Sequence, residues 1–408
     1  MLETLGREFE SSSVSEALPA NVTAFRRAVF AGFVAAGAFT VLLGPILPVL
    51  TARWSLNGSQ AGLFFAAQFT GALLGVGAFS LLPRRYSYRF PLAIGYALMG
   101  TGMILLRSPE LRMAQLGIFA AGFANGLVTP ASNLAIAMES PVERAGRLNL
   151  LNFTWGFGAV GCPFLVAFAE RLHNLNLFFL LFGATLVFLA VLFVSLRRPS
   201  VPLGDTPSTK MERPRASRSL VLVLGCFGAL FFLEVGAESS FGGWAASFAS
   251  EIAKAPATTV ALMPSFFWGT MFIGRASATA LLRRVSEKRV IFSCMSLVLC
   301  SSLILLVARQ TAILALAIAI AGFGCSAIFP TLLAWVSHSV DESSAGLRAL
   351  PFAAAYCGGA ILPWLVGAAS VRLGSLRAGF LFVVAAAAIM LLLSALLHRA
   401  IPQAAAVA

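Results

Sequence analysis

Ala121-Gly122-Phe123-Ala124-Asn125-Gly126-Leu127-Val128-Thr129-Pro130 returns 200 residues later as Ala321-Gly322-Phe323-Gly324-Cys325-Ser326-Ala327-Ile328-Phe329-Pro330. The echo continues outward from that stretch. Ala145-Gly146 returns as Ala345-Gly346, and Gly158, Pro163, Leu165 and Val166 return as Gly358, Pro363, Leu365 and Val366. Each copy lies in or beside a long apolar run, and the offset is close to half of the 408 residues. Self-similarity on that scale reads as two related halves of one membrane protein, with cargo held between them.

Composition supports lipid as the main solvent. Hydrophobic residues make up 59% of the chain and charged residues 11%, far too few for the surface of a soluble protein of this size. Twelve apolar stretches reach the length needed to cross about 30 Å of hydrocarbon at about 1.5 Å per residue. They cover 28–50, 58–82, 90–106, 113–138, 148–170 and 177–196, then 219–248, 259–282, 290–308, 311–337, 349–371 and 377–397. The Pro-, Ser- and Arg-rich stretch 197–218 reads as a flexible linker between six spans and six. The expected organisation is therefore a tail (1–24), a bundle (25–196), the linker (197–218), a second bundle (219–398) and a short tail (399–408). Six spans per half make the halves parallel copies about an axis along the membrane normal, so the expected fold is all-α, with twelve transmembrane helices in two pseudo-symmetric six-helix bundles.

The net charge of +13 is not spread as a nucleic-acid-binding surface would spread it. Arg84, Arg85 and Arg89 follow span 2, Arg283, Arg284, Lys288 and Arg289 follow span 8, and six more Lys/Arg from Arg197 to Arg218 fill the linker. With both termini cytoplasmic, about 20 Lys/Arg fall inside and about 8 outside, which is the positive-inside pattern. The opening segment lacks the basic start and apolar stretch of a secretory signal, and a bacterial inner membrane is the expected location. The six cysteines are scattered singly through the spans, and the expectation is no disulfide framework, no metal and no cofactor. There is no G-x-x-x-x-G-K-[ST] phosphate loop, no H-E-x-x-H and no G-x-S-x-G. These absences argue against ATP hydrolysis through that loop and against a membrane enzyme. A monomer is expected, with a small-molecule cargo, a proton or sodium ion and the bilayer as partners.

Two carboxylates fall well inside a span, Glu234 and Glu238. A charge at membrane depth costs about 2.5–3.5 kcal/mol on insertion scales, so such acids face a bundle interior or a cavity. Their spacing of four puts both on one face of span 7. They lie roughly 22 and 28 Å along it. Burial and mutual repulsion favour a proton on at least one of them, and the pair titrates as a unit. An acid that loads and releases a proton is what ion-coupled transport requires, and Gly242-Gly243 just beyond is expected to bend or break the helix. Span 4 carries Asn125, Thr129 and Ser132 on one face with Asn133 beside them; span 5 carries Asn149, Asn152 and Trp155 at steps of three. Amides that both donate and accept, beside a flat indole, suit a sugar's hydroxyls and C–H faces. The same groups also serve as helix-to-helix bonds in membrane proteins. Asn133, Asn152 and Trp155 are the preferred cargo contacts, with Asn125, Thr129, Trp268 and Tyr356 next and Gln68 an extra candidate. Arg275 is expected as a structural gate, snorkelling toward the cytoplasm or pairing with Asp341 or Glu342.

The chain resembles the major facilitator superfamily over nearly its whole length. Besides twelve spans and a long basic central loop, the pattern Gly-Arg-x(7)-Arg-Arg-x(3)-Lys-Arg from Gly274 to Arg289 is similar to the family's signature between helices 8 and 9. A finer resemblance is to the fucose/glucose cation-symporter branch. It rests on Leu233 to Trp244 (LEVGAESSFGGW) and on Arg147 to Phe153 (RLNLLNF) with Gly156 and Gly158. That branch carries an acid in helix 1 and another in helix 4; here no Asp or Glu occurs between Glu16 and Glu110, and Val128 stands at the helix-4 position. The resemblance implies a secondary active transporter that moves a sugar by alternating access with a proton or sodium ion. The alternative is a proton-driven exporter of amphipathic compounds, which the many aromatics and the missing helix-1 acid favour.

Overall fold

The computed structural model describes residues 20–82, 87–138, 144–196, 218–282, 284–339 and 350–400. Most of both expected tails, nearly all of the linker, and Asp341 and Glu342 lie outside the described residues. In the first half, span 1 is made of α1 (Ala20–Val41) and α2 (Leu43–Arg53). Spans 2 to 6 are α3 (Gly58–Leu81), α4 (Arg89–Leu105), α5 (Leu111–Ala137), α6 (Arg144–Arg171) and α7 (Leu175–Ser195). In the second half, spans 7 to 9 are α8 (Arg218–Glu251), α9 (Ala257–Leu282) and α10 (Glu287–Val307). Span 10 is α11 (Thr311–Cys325) with α12 (Ile328–Ser339), span 11 is α13 (Leu350–Leu373), and span 12 is α14 (Leu376–Gly379) with α15 (Leu381–Ala400). No strand occurs among the described residues. Eleven spans are long and apolar enough to cross a bilayer; α4, with 17 residues, is the short one. The face carrying the start of α1 and the end of α15 is termed the near face, and the opposite one the far face.

The sequence repeat has a steric cause. Gly122 of α5 sits on the Gln68 carbonyl of α3, and its copy Gly322 of α11 sits on the Phe267 carbonyl of α9. Gly158 of α6 meets the Val34 carbonyl of α1, and its copy Gly358 of α13 meets the Phe232 carbonyl of α8. A methyl group at any of the four would overlap backbone. Small residues let membrane helices approach this closely, where packing replaces the hydrophobic effect as the driving force. The duplicated glycines are thus the points at which each half is welded to itself.

Three spans are interrupted. Span 12 breaks at Phe380, between α14 and α15, and the other two breaks lie beside prolines. Pro45 cannot donate to the Val41 carbonyl, and span 1 breaks between Val41 and Leu43. Pro330 likewise leaves the Ser326 carbonyl without its helical donor, and span 10 breaks between Cys325 and Ile328. There Ser326 Oγ donates to the Phe323 carbonyl (2.6 Å), a local bond that competes with the helix. Pro130, the counterpart of Pro330, stays inside the continuous α5. The expected break at Gly242-Gly243 does not occur, because α8 runs unbroken from Arg218 to Glu251. Those glycines serve contact instead: the Gly242 carbonyl faces Gly44 of α2, and Gly243 receives the Phe65 ring of α3.

Contacts between the halves run from the far face to mid-depth. At the far end Gly58 of α3 lies against the Gly367 carbonyl of α13, and a Cβ on Gly62 would come within 2.8 Å of Trp364 Cα. One turn deeper Phe65 meets Trp244, with ring centroids 6.0 Å apart, and Trp244 Nε1 donates to the Pro363 carbonyl (3.0 Å). At mid-depth Phe69 of α3 seats on Gly359 of α13, and Phe272 of α9 seats on Gly156 of α6. Toward the near face the same helices turn exposed side chains outward, such as Leu74 and Leu81 of α3 and Phe352 of α13. The bundles are closed at the far face. Asn57 starts α3 there with a reciprocal capping box: its side chain accepts from Gln60 N (3.0 Å) while Gln60 Oε1 accepts from Asn57 N (3.0 Å). Asn57→Ala should cost about 1 kcal/mol, seen as a lower thermal unfolding midpoint in detergent with cargo binding retained.

Candidate coupling and cargo site

Glu234 and Glu238 project from α8 one turn apart, and the structure separates their surroundings. Glu234 is 1% exposed. Apart from Glu238, its carboxyl oxygens find no hydrogen-bond partner among the described residues. The Glu238 side chain is 15% exposed and reaches Arg275 of α9, with Nη2 to Oε2 at 3.9 Å. That distance is a loose ion pair without a hydrogen bond, the kind that a proton on the carboxylate dissolves readily. Of the two sequence expectations for Arg275, snorkelling toward the near face and pairing with Asp341 or Glu342, the second falls on acids outside the described residues. The Arg275 guanidinium lies against Glu238 and 5.7 Å over the Trp155 ring of α6, in the other half. At 40% its side chain is exposed enough to exchange partners.

Trp155 continues the cluster to Trp268 of α9, edge to face at 6.0 Å between centroids. Trp268 Nε1 is buried and has no hydrogen-bond partner among the described residues, although indole N–H groups normally find one when buried. Gly242 makes room for this ring: a Cβ there would lie 2.8 Å from Trp268 Cζ2. The structure therefore brings five sequence candidates together, Glu234, Glu238, Arg275, Trp155 and Trp268, at the seam between the halves.

A second cluster lies inside the first half. Asn125 Nδ2 donates to Thr40 Oγ1 (3.4 Å) and Thr129 Oγ1 donates to Asn125 Oδ1 (3.4 Å), both long bonds. Gln68 Nε2 donates to the Thr40 carbonyl (2.9 Å), and Thr40 Oγ1 donates to the Ala36 carbonyl (2.8 Å). Asn133 and Asn152 each spend their amide N–H₂ on their own helix, on the Thr129 and Leu148 carbonyls at 2.9 Å. Each retains its amide oxygen to accept, and Asn152 is exposed. Ser132 is fully buried, away from any such surface. Tyr356 packs on Phe69 across the halves, with centroids 6.5 Å apart. Sequence reading missed Thr40, which sits one residue before the end of α1 and joins spans 1, 2 and 4. A hydroxyl next to the helix break at Pro45 was the available signal. It also missed Phe69 and Phe272, whose role depends on glycines far away in the chain.

Comparison with known proteins accords with this architecture. The model of the Major Facilitator Superfamily matches residues 28–350. A glucose/galactose transporter of Brucella abortus is 26% identical over 363 residues, covering 83% of this chain and 85% of its own. The glucose/mannose transporter GlcP of Bacillus subtilis is also 26% identical, over 361 residues, covering 83% and 86%. Among solved structures, a D-xylose–proton symporter superposes with a TM-score of 0.74 at 15% identity, over 94% of this chain and 99% of that one. With a family model spanning well over half of the sequence and the same twelve-span arrangement, this chain belongs to the major facilitator superfamily.

Proposed function

We propose that this chain is a secondary active transporter that carries a neutral sugar together with a proton, through a site at the seam between its halves. The observation that carries the reading is the Glu238–Arg275–Trp155 cluster. One exchangeable acid and one exposed guanidinium from the second half meet an indole from the first, so charge, cargo surface and the moving interface coincide. The relatives that transport glucose, galactose or mannose support a hexose as cargo, and the shared fold of a xylose–proton symporter supports symport over export.

In the mechanism, ionised Glu238 holds Arg275. A proton on Glu238 dissolves that pair and frees the guanidinium to donate to cargo hydroxyls, while Trp155 offers its face and Asn152 and Asn133 accept through their amide oxygens. Cargo binding and proton binding then favour each other, which is the linkage that symport needs. Glu234, sealed behind Glu238, shapes the field in which Glu238 exchanges. With cytoplasmic termini and an inner-membrane location, as the Lys/Arg distribution supports, closure of the far face makes this the inward-open state.

Thermal unfolding of the purified protein, measured with hexoses and with amphipathic cations at two pH values, with and without sodium, tests the reading. D-glucose or D-galactose should raise the midpoint of the wild type more at the lower pH, independently of sodium, and should not raise that of Trp155→Ala. Stabilisation by amphipathic cations alone would overturn the cargo class; a strict sodium requirement would overturn the ion.

A further inference from the structure

Trp54 Nε1 donates to the Pro109 carbonyl (2.7 Å), and Trp244 Nε1 donates to the Pro363 carbonyl (3.0 Å). Trp268 differs. The residue is 7% exposed, and its buried Nε1 meets no acceptor among the described residues. Burying an N–H without a partner is costly, and such groups are rare enough in folded proteins that each needs a reason. The position of Trp268 in the seam supplies one. Along α9 it lies seven residues, about 10 Å, farther from the near face than Arg275. Along α8, Gly242 lies four residues, about 6 Å, beyond Glu238. Trp155 joins the two levels, since Arg275 lies over its face and Trp268 meets it edge to face. Exposure falls in the same order, from Arg275 through Glu238 to Trp268, so Trp268 lies at the floor of the opening that leads in from the near face.

The N–H edge of the ring rests on Gly242, where a Cβ would lie 2.8 Å from Cζ2 and 3.3 Å from Nε1. The first half covers this spot. Gly44 of α2 faces the Gly242 carbonyl, and a Cβ on Gly44 would come 3.5 Å from Pro264 Cγ, one turn from Trp268 on α9. Gly44 and Trp155 both belong to the first half and leave Trp268 when the far face opens, so the indole is uncovered in that state. We propose that Trp268 is a specificity-determining cargo donor of the far-open state: its N–H bonds one sugar oxygen as cargo arrives from the far side and gives up that bond as the far face closes. The inference rests on the reading of the seam as a sugar site. The bond exists only while the far side is open, which favours capture there and release at the near face. A site that bonds a particular hydroxyl also rejects the analogue that lacks it.

The experiment uses the full-length protein in right-side-out membrane vesicles, with the far face outward. Entry of labelled D-glucose is competed with D-glucose and with each of its monodeoxy analogues. In the wild type, the analogue lacking the bonded oxygen should compete about tenfold more weakly than glucose, the contribution of one neutral hydrogen bond. Trp268→Phe should erase the discrimination at that position and keep the ratios for the other analogues, the non-additivity that marks a direct contact. A second variant carrying benzothienylalanine at position 268, the two-ring shape with sulfur in place of N–H, should behave alike, which separates loss of the donor from loss of volume. In inside-out vesicles, which turn the near face outward, the wild type should show no preference at that position. Unchanged ratios in the benzothienylalanine variant, or the same preference at both faces, would overturn the proposal and leave sugar transport standing. No glucose entry into wild-type vesicles of either orientation would overturn the reading of the site and the proposal with it.

Discussion

Glu238→Gln should abolish uphill accumulation of cargo while leaving downhill exchange intact. The amide keeps the size and one acceptor oxygen of the acid but cannot bind and release a proton near neutral pH. A membrane potential of 100 mV stores about 2.3 kcal/mol per charge moved, which sustains roughly a 50-fold concentration ratio for one co-transported proton. In proteoliposomes with an imposed potential, the wild type should approach that ratio, whereas the glutamine variant should settle near equal concentrations inside and out. Counterflow of preloaded sugar, which needs no net proton movement, should persist. Retained accumulation would assign coupling to another group and leave Glu238 as a counter-ion of Arg275. The prediction is sharp because spans 1 to 6 contain no interior carboxylate to take over, and Glu234 is sealed at 1% exposure.

The second large effect is steric. Gly367 of α13 lies on the Gly58 carbonyl, and a Cβ there would also come within 2.9 Å of Trp244. Gly367→Trp should wedge the far face apart and stop net transport, because the closed state can no longer form. With Ser59→Cys and Arg372→Cys carrying spin labels at the far face, the distance distribution should lengthen. A pair at the near face, Leu81→Cys and Leu282→Cys, should shorten in the same variant. Unchanged distances with normal transport would mean that the Gly58–Gly367 approach is not the far gate.

The architecture was readable from sequence because duplication and hydropathy are properties of the chain itself. The repeated Gly122/Gly322 and Gly158/Gly358 were visible as letters before their shared purpose was, and the twelve spans fell close to the observed helices. What the sequence hid was partnership across the seam. Gly242-Gly243 reads as a flexible joint in isolation. Yet α8 stays continuous there because Gly44, Phe65 and Trp268 pack against those two residues and leave the backbone no room to unwind. Arg275 sits near the near-face end of its helix, where snorkelling is the sensible expectation, and nothing in the spacing of the chain announces that Glu238 and Trp155 converge on it. The amide candidates divided for a similar reason. Asn125 and Thr129 tie spans together through Thr40, whereas Asn133 and Asn152 donate within their own helices, a distinction that rotamers decide and helical periodicity does not.

The two mid-depth seats, Phe69 on Gly359 and Phe272 on Gly156, have a mechanical consequence. Each is a ring from the second span of one half resting on a notch in the fifth span of the other, so the two act as a pair of bearings across the seam. A line through both forms an axle. Rotation about it parts one face by as much as it joins the other, so the two bundles can rock without separating, and a solute held near the axle is carried from one opening to the other while scarcely changing depth.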